Sequence, residues 1–247
     1  MVEHHRTIGP VSLHCLTKFQ AMQMIAAAVK SRHPLQIAIC NAHTFMRAVD
    51  EPAYADTLNK MTVLNDGAGL NIASRALYSE PFPENLNGTD FVPYLMAEID
   101  HPLRVFLLGA APDKVAKAAA VIQEKYPQHL VVGARDGYFD PADRDAVCRE
   151  VADAKPDLLL VAMGNPKQEE FIVENRERLG ATVAIGVGAL FDFMSGSVVR
   201  APKVVRAVGL EWVFRLMQEP RRLFGRYVVG IPRFLLYIRG LKKAARA

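Results

Sequence analysis

Leu158-Leu159-Leu160-Val161-Ala162-Met163-Gly164-Asn165-Pro166-Lys167-Gln168-Glu169-Glu170 runs from uninterrupted apolar sequence through a glycine- and proline-marked turn into residues that open a helix. An apolar run of this length without polar alternation reads as a strand buried on both faces, the kind found in parallel sheets covered by helices. Outward from it the same unit recurs. Gln36 to Cys40 precedes a helical pattern from about Thr44, and Thr62 to Leu64 precedes one near Gly69 to Leu77. Val105 to Leu108, Leu130 to Gly133 and Val183 to Val187 are likewise each followed by helical or turn sequence. The rhythm is βαβ, and it predicts an α/β fold with largely parallel strands. The link Ile99 to Leu103, containing His101 and Pro102, is the expected seam between two apposed halves of about residues 10–98 and 103–199.

The 247 residues are 51% apolar, enough for a full core. Their charge is unevenly placed. From Arg200 onward twelve Lys and Arg face only Glu211 and Glu219, so residues 200–247 carry +10 while residues 1–199 carry −6. That basic tail is also rich in Leu, Val, Phe, Trp, Tyr and Ile, which points to an anionic membrane surface and to diphosphates rather than to nucleic acid. Leu210, Val213, Phe214 and Met217 recur at helical spacing, as do Leu223, Tyr227, Phe234 and Ile238. Interruptions at Gly225, Gly230 and Pro232 predict two or three short helices, and Pro220 is placed to open one of them. Residues 1–10 are charged and lack an apolar signal core, and no stretch reaches the roughly 18 apolar residues of a spanning helix. A soluble or peripheral, cytoplasmic protein is expected. Cys15, Cys40 and Cys148 have no metal-ligand spacing and build no disulfide framework.

Glycine-bearing loops follow the predicted strands. In a parallel sheet the ligand sits at the carboxyl ends of the strands, where glycine admits it close to the backbone. Asp66-Gly67 follows one strand, with Asp66 the candidate general base, though a lone Asp-Gly also fits a helix N-cap. In Gly164-Asn165-Pro166-Lys167-Gln168, Gln168 supplies a bidentate amide and Lys167 a cation for a diphosphate, while an ordinary strand-to-helix turn capped by Asn165 is the alternative. Gly186 to Phe193, with Asp192, forms a third loop. Gly109 opens a fourth strand-to-helix turn, but with one of the three glycines of a dinucleotide fingerprint it gives a nicotinamide cofactor little support. Asp143-Arg144-Asp145 reads as the first turn of a helix rather than a cation site. Of the histidines only His43, just after a strand, is placed to reach the rim.

Taken in order, Asn41-Ala42 with Asp66-Gly67, the Gly164 to Glu169 block, and the segment from Gly186 to Tyr227 with Arg200-Ala201-Pro202 and Glu211-Trp212 resemble the WecG/TagA/CpsF family of bacterial glycosyltransferases. The likeness covers about residues 10 to 240. It implies a Rossmann-like body (1–199) with the active site between its halves, a basic amphipathic appendage (200–247), and an inverting, metal-independent enzyme without cofactor. The implied reaction moves a sugar from a UDP-sugar to a polyprenyl-diphosphate-linked saccharide in cell-surface polysaccharide or teichoic acid synthesis, on the inner face of the cytoplasmic membrane. Asp66 matches the family's base, Asn41 a pocket asparagine and Gln168 a glutamine near the donor sugar. The appendage's active-site arginines would fall among Arg200, Arg206, Arg215, Arg221, Arg222 and Arg226. The chain departs from the family at Ile39, where many members have Thr, and at Glu84 to Asp90, where many have Glu-Arg before Gly-x-Asp.

The residues fit this chemistry. Inversion needs a carboxylate to take the proton of the attacking hydroxyl, and the departing UDP needs cations or helix N-termini for its growing charge. A Rossmann-type NAD(P) oxidoreductase, or a non-catalytic lipid- or nucleic-acid-binding module built on the tail, are the competing readings. Self-association as a homo-oligomer is compatible with the sequence.

Overall fold

A computed structural model describes residues 5–202 and 211–245, apart from the side chains of Glu211, Arg215 and Arg222. Two short strands, β1 (His5–Ile8) and β2 (Val11–His14), pair antiparallel as a hairpin. After α1 (Lys18–Ser31) come β3 (Leu35–Cys40), α2 (Ala42–Asp50), α3 (Pro52–Asn59), β4 (Thr62–Asn65), α4 (Gly67–Tyr78) and α5 (Gly88–Glu98). The second half runs β5 (Arg104–Gly109), α6 (Pro112–Lys125), β6 (Leu130–Arg135), α7 (Arg144–Ala154), β7 (Leu158–Ala162), α8 (Lys167–Asn175), β8 (Val183–Gly186) and α9 (Leu190–Met194). The C-terminal part contains α10 (Glu211–Gln218), α11 (Pro220–Phe224), a π-helical segment (Gly225–Val229) and α12 (Gly230–Ala244).

β3 to β8 form one parallel sheet in the order β4-β3-β8-β7-β5-β6. The two expected halves therefore share a sheet. β8 pairs with β3 on one side and β7 on the other, so the last strand to be made lies near the middle. Strand residues alternate between two cores, as pleating requires. Ala38, Cys40, Phe106, Leu108, Leu159, Val161 and Ala184 face α2, α3, α4, α7, α8 and α12. Ile37, Ile39, Val105, Leu107, Leu158, Leu160, Val183 and Ile185 face α1, α5, α6 and α9. This is the α/β, Rossmann-like layering the sequence predicts.

The tail docks on the body through α12. Phe234 (1% exposed) and Ile238 (3%) enter the first core, and the Phe45 ring meets Phe234 edge-on at 5.5 Å and Tyr237 at 5.8 Å. Gly69 leaves room for this approach, since a Cβ there would sit 2.9 Å from the Ala42 Cβ and 3.6 Å from the Phe234 ring. Arg233 forms a two-pronged ion pair with Asp50 at the end of α2. The breaks expected at Gly225 and Gly230 coincide with changes of helix type, α11 ending before Gly225 and α12 beginning at Gly230. The π-helical segment contains Gly225 and leads into α12, which opens with Gly230 and has Pro232 in its first turn, where no N–H partner is needed.

Candidate active site

All six parallel strands end at one edge, so the loops after them line one rim. Asp66 occupies the N-cap position of α4 with extended backbone, yet its carboxylate makes no capping bond. Its backbone N–H donates to Cys40 O at 2.7 Å, which draws the β4 loop against the end of β3. Asn41 is used twice. Its Oδ1 accepts from the N–H groups of His43 and Thr44, capping α2, and its Nδ2 donates to Asp66 Oδ2 at 3.4 Å. The cap thus fixes the amide that faces the carboxylate. Gly67, at φ +85°, turns its N–H toward Asn85 Oδ1 at 2.8 Å, so the Glu84 to Asp90 segment closes over this end of the rim.

The next loops are tied together beneath the surface. Gln168 is 1% exposed; its Oε1 accepts from Gly188 N–H at 3.2 Å and its Nε2 donates to Glu169 Oε1 at 2.7 Å. Glu169 is fully buried and also accepts from Asn165 Nδ2 at 2.6 Å and from Tyr54 Oη at 3.0 Å. Burial pushes its carboxyl up to about 7, against the lowering effect of these donors. Cys40 lies between the two acids: burial first, then Glu169 and Asp66, push its thiol far up. Gly164 (φ +76°) and Gly188 (φ +56°) border open space above this layer.

Farther along, the chain leaves β5 toward β6 and leaves β7 toward β8, in opposite directions. A crevice opens between their carboxyl ends. Its floor is closed by Ala110 N–H donating to Ala162 O at 2.8 Å, and a Cβ on Gly109 would collide with that same carbonyl. Lys114 of α6 and Asp192 of α9 meet across it at 2.5 Å. Tyr138, 80% exposed, stands beyond them and contributes to holding the Lys114 ammonium above its usual range, an effect led by Asp192.

Over residues 6–247 the sequence matches the family described as glycosyl transferase WecG/TagA/CpsF. The chain belongs to that family. An N-acetylglucosaminyldiphosphoundecaprenol N-acetyl-beta-D-mannosaminyltransferase of Bacillus subtilis (strain 168) is 33% identical over 204 residues, covering 82% of this chain and 78% of the relative. A Staphylococcus aureus (strain MW2) protein of the same name is 32% identical over 224 residues, 88% of this chain and 86% of the relative. A third, from Bacillus spizizenii (strain ATCC 23059 / NRRL B-14472 / W23), is 32% identical over 201 residues. This WecG/TagA/CpsF member is accordingly an enzyme, a glycosyltransferase that moves a hexosyl group.

Within this family member the predicted site residues divide into groups. Asp66, Gly67 and Asn41 are together at the β3–β4 end. Gly164, Asn165 and Gln168 converge at the centre, but the Gln168 side chain is buried and its amide faces Glu169 and the Gly188 N–H instead of the rim. Gly109 and Asp192 border the β5–β7 crevice. Lys167 is exposed; its Nζ is 3.4 Å from Gly137 O and 5.6 Å from the centre of the Phe139 ring, toward β6 and away from Asp66. At about 4.8 Å per strand, the five steps from β4 to β6 separate their ends by roughly 24 Å.

Among the tail cations, Arg200 binds Asp90 Oδ1 at 2.5 Å and Thr89 Oγ1 at 3.3 Å at the start of α5, beside a groove of about 260 Å³ shared with Phe193 and Tyr126. Arg226, in the π-helical segment, borders a groove of about 310 Å³ against α2 together with His43, Arg47 and Arg233. Burial, then Arg226 and Arg47, hold the His43 imidazole below its usual range, so it is neutral near pH 7. Arg221 is exposed. Arg206 and the side chains of Arg215 and Arg222 lie outside the described residues. Asp145 pairs with Arg178 at 2.5 Å on α7, as a helix-turn acid, and no group of three potential metal ligands occurs among the described residues.

Tyr54, Glu169 and Lys114 were not singled out from the sequence. Glu169 reads there as a first-turn acid favoured by the helix dipole. The spacing of Gln168, Phe171, Ile172 and Asn175 marks one inward helical face, and Glu169 borders it.

Proposed function

We propose that the chain transfers an N-acetylhexosamine, with inversion, from a UDP-sugar to a polyprenyl-diphosphate-linked saccharide at the cytoplasmic face of the membrane, for cell-surface polysaccharide or teichoic acid synthesis. The observation that carries this reading is Asp66: a carboxylate at the carboxyl rim of a parallel sheet, excused from capping its own helix and faced by the Asn41 amide. The nucleotide lies over the β5–β7 crevice near Gly109, Lys114 and Asp192, and the sugar extends past Gly164 and Gly188 toward Asp66. Asp66 takes the proton of the acceptor hydroxyl as it attacks the anomeric carbon opposite the departing UDP. Tail arginines meet the charge gathered on UDP, which lets the reaction run without a divalent cation. N-acetylmannosamine is the favoured donor sugar and N-acetylglucosaminyl-diphosphoundecaprenol the favoured acceptor, by likeness to the relatives.

No described helix is long and apolar enough to cross a membrane. The tail supports peripheral attachment through apolar side chains left outside: Met217 is 77% exposed, Leu236 68%, Val229 59% and Phe224 57%, with Arg221 and the lysines of α12 among them.

Thermal unfolding of the purified chain with UDP, UDP-N-acetylglucosamine, UDP-glucose, NAD or NADP, all in EDTA, tests the donor class. Stabilisation by the UDP compounds alone is the expected result. Stabilisation by NAD or NADP alone would overturn the proposal in favour of a dinucleotide enzyme.

A further inference from the structure

The proposed mechanism leaves a buried carboxyl beneath the centre of the rim unused. Glu169 is buried without exposed area, and the three side chains that reach it come from separate places: Tyr54 from α3, Gln168 from α8, and Asn165 from the loop after β7. All three are neutral and all three donate. Gln168 then passes the constraint on, since its other end holds the Gly188 N–H in the loop after β8. Space for the arrangement is reserved at Gly186, where a Cβ would come 2.8 Å from Gln168 Nε2 and 3.2 Å from Glu169 Oε1.

We infer that Glu169 is a positioning residue whose charge locks the Gln168 and Asn165 amides, and through them the loop at Gly188, in the geometry that sugar transfer requires. The inference rests on the reading of this rim as the donor-sugar site. An acceptor with three donors is satisfied as a carboxylate. Hydrogen bonds to the ionised form are shorter and about twice as strong as neutral ones. When the group takes up a proton it becomes a donor itself, the Tyr54 hydroxyl must turn its own proton elsewhere, and the hold on both amides weakens. The ionisable groups facing it are Tyr54 on α3 and Cys40 on β3, with Asp66 beyond Cys40; β7 and β8 present only apolar residues and glycine. Burial keeps Tyr54 and Cys40 protonated at neutral pH, so Glu169 is the member that titrates.

The test follows the Gly188 amide by NMR hydrogen exchange in the full chain from about pH 5 to 9, corrected for intrinsic exchange, alongside the infrared carbonyl band that Glu169→Gln removes. In the wild type, protection of Gly188 should drop about tenfold as pH falls, at the midpoint of the Glu169 band. In Glu169→Gln, which imitates the protonated form, it should be low and independent of pH. Transfer from UDP-N-acetylmannosamine should follow the same midpoint in kcat, with KM for donor changed less than twofold, and in the variant stay at every pH about tenfold below the high-pH rate of the wild type. Wild-type protection that ignores pH, or a variant with the wild-type pH profile, would overturn the inference. If the variant does not fold, the wild-type titration alone decides. Absence of transfer at every pH would count against the donor-site reading, while the Gly188 titration would still decide the role of Glu169.

Discussion

Asp66 and Glu169 are two carboxylates near one buried thiol, and their surroundings assign them different tasks. Asp66 is half-buried at the rim and reaches Asn41; Glu169 lies beneath it and is fully enclosed. Replacing Asp66 by Asn keeps the shape and the α4 N-terminus but removes the proposed base. Transfer should fall by roughly 10²–10⁴-fold, while UDP affinity, read by calorimetry, changes less than about threefold. Near-normal turnover in Asp66→Asn would remove Asp66 as base. Glu169 also predicts a pH dependence of stability. Its carboxyl titrates at about 7 in the fold against an ordinary value of 4.5, so the folded chain holds this proton more tightly than the unfolded chain. Its contribution is therefore greatest at and below the lower value, declines as pH rises through the window, and is gone above about 7. Urea unfolding should show Glu169→Gln gaining on the wild type by on the order of 3 kcal/mol between the two ends of that window. An advantage that stays constant with pH would contradict this.

Among the elements, the six parallel strands were legible because each is an apolar run ended by glycine or a polar turn. Strand order was not, since pairing depends on which helices cross which face. The β1–β2 hairpin gives little sequence signal because its strands are four residues each, with His5 opening the first and His14 closing the second. The Gln168 amide reads as a ligand contact because a sequence does not tell whether a polar side chain at a loop faces the rim or the interior. In the tail, glycines and a proline read as breaks; the helix type does change at Gly225 and Gly230, whereas Pro232 falls inside the first turn of α12, which is anchored by the core. Phe234 carries much of that anchoring. Phe234→Ala should destabilise the chain by about 3 kcal/mol and expose the tail's basic residues to trypsin at shorter times than in the wild type. Unchanged urea midpoint and cleavage would mean that the docking seen at Phe45 and Tyr237 contributes little.

For the whole molecule, the separation of +10 in the tail from −6 in the body underlies the proposed attachment to an anionic surface. Binding to vesicles containing phosphatidylglycerol should weaken sharply between about 0.05 and 0.5 M salt. Reversing Lys242 and Lys243 to Glu should reduce it about tenfold or more with UDP affinity unchanged. Binding that is indifferent to both would assign attachment to the apolar side chains alone. The place of β8 in the sheet has another consequence, in the time of synthesis. β3 is complete at residue 40, but the partner that joins it to β7 does not begin until residue 183. At about 5–20 residues per second the ribosome takes on the order of ten seconds to make the stretch between them. By the end of that interval the nascent chain holds two unfinished fragments, β3 with β4 and β5 with β6 and β7, each lacking the strand that joins them. The sheet joins from its middle when β8 slots between them, so a stall before residue 183 leaves a species prepared for edge-to-edge aggregation and dependent on chaperones.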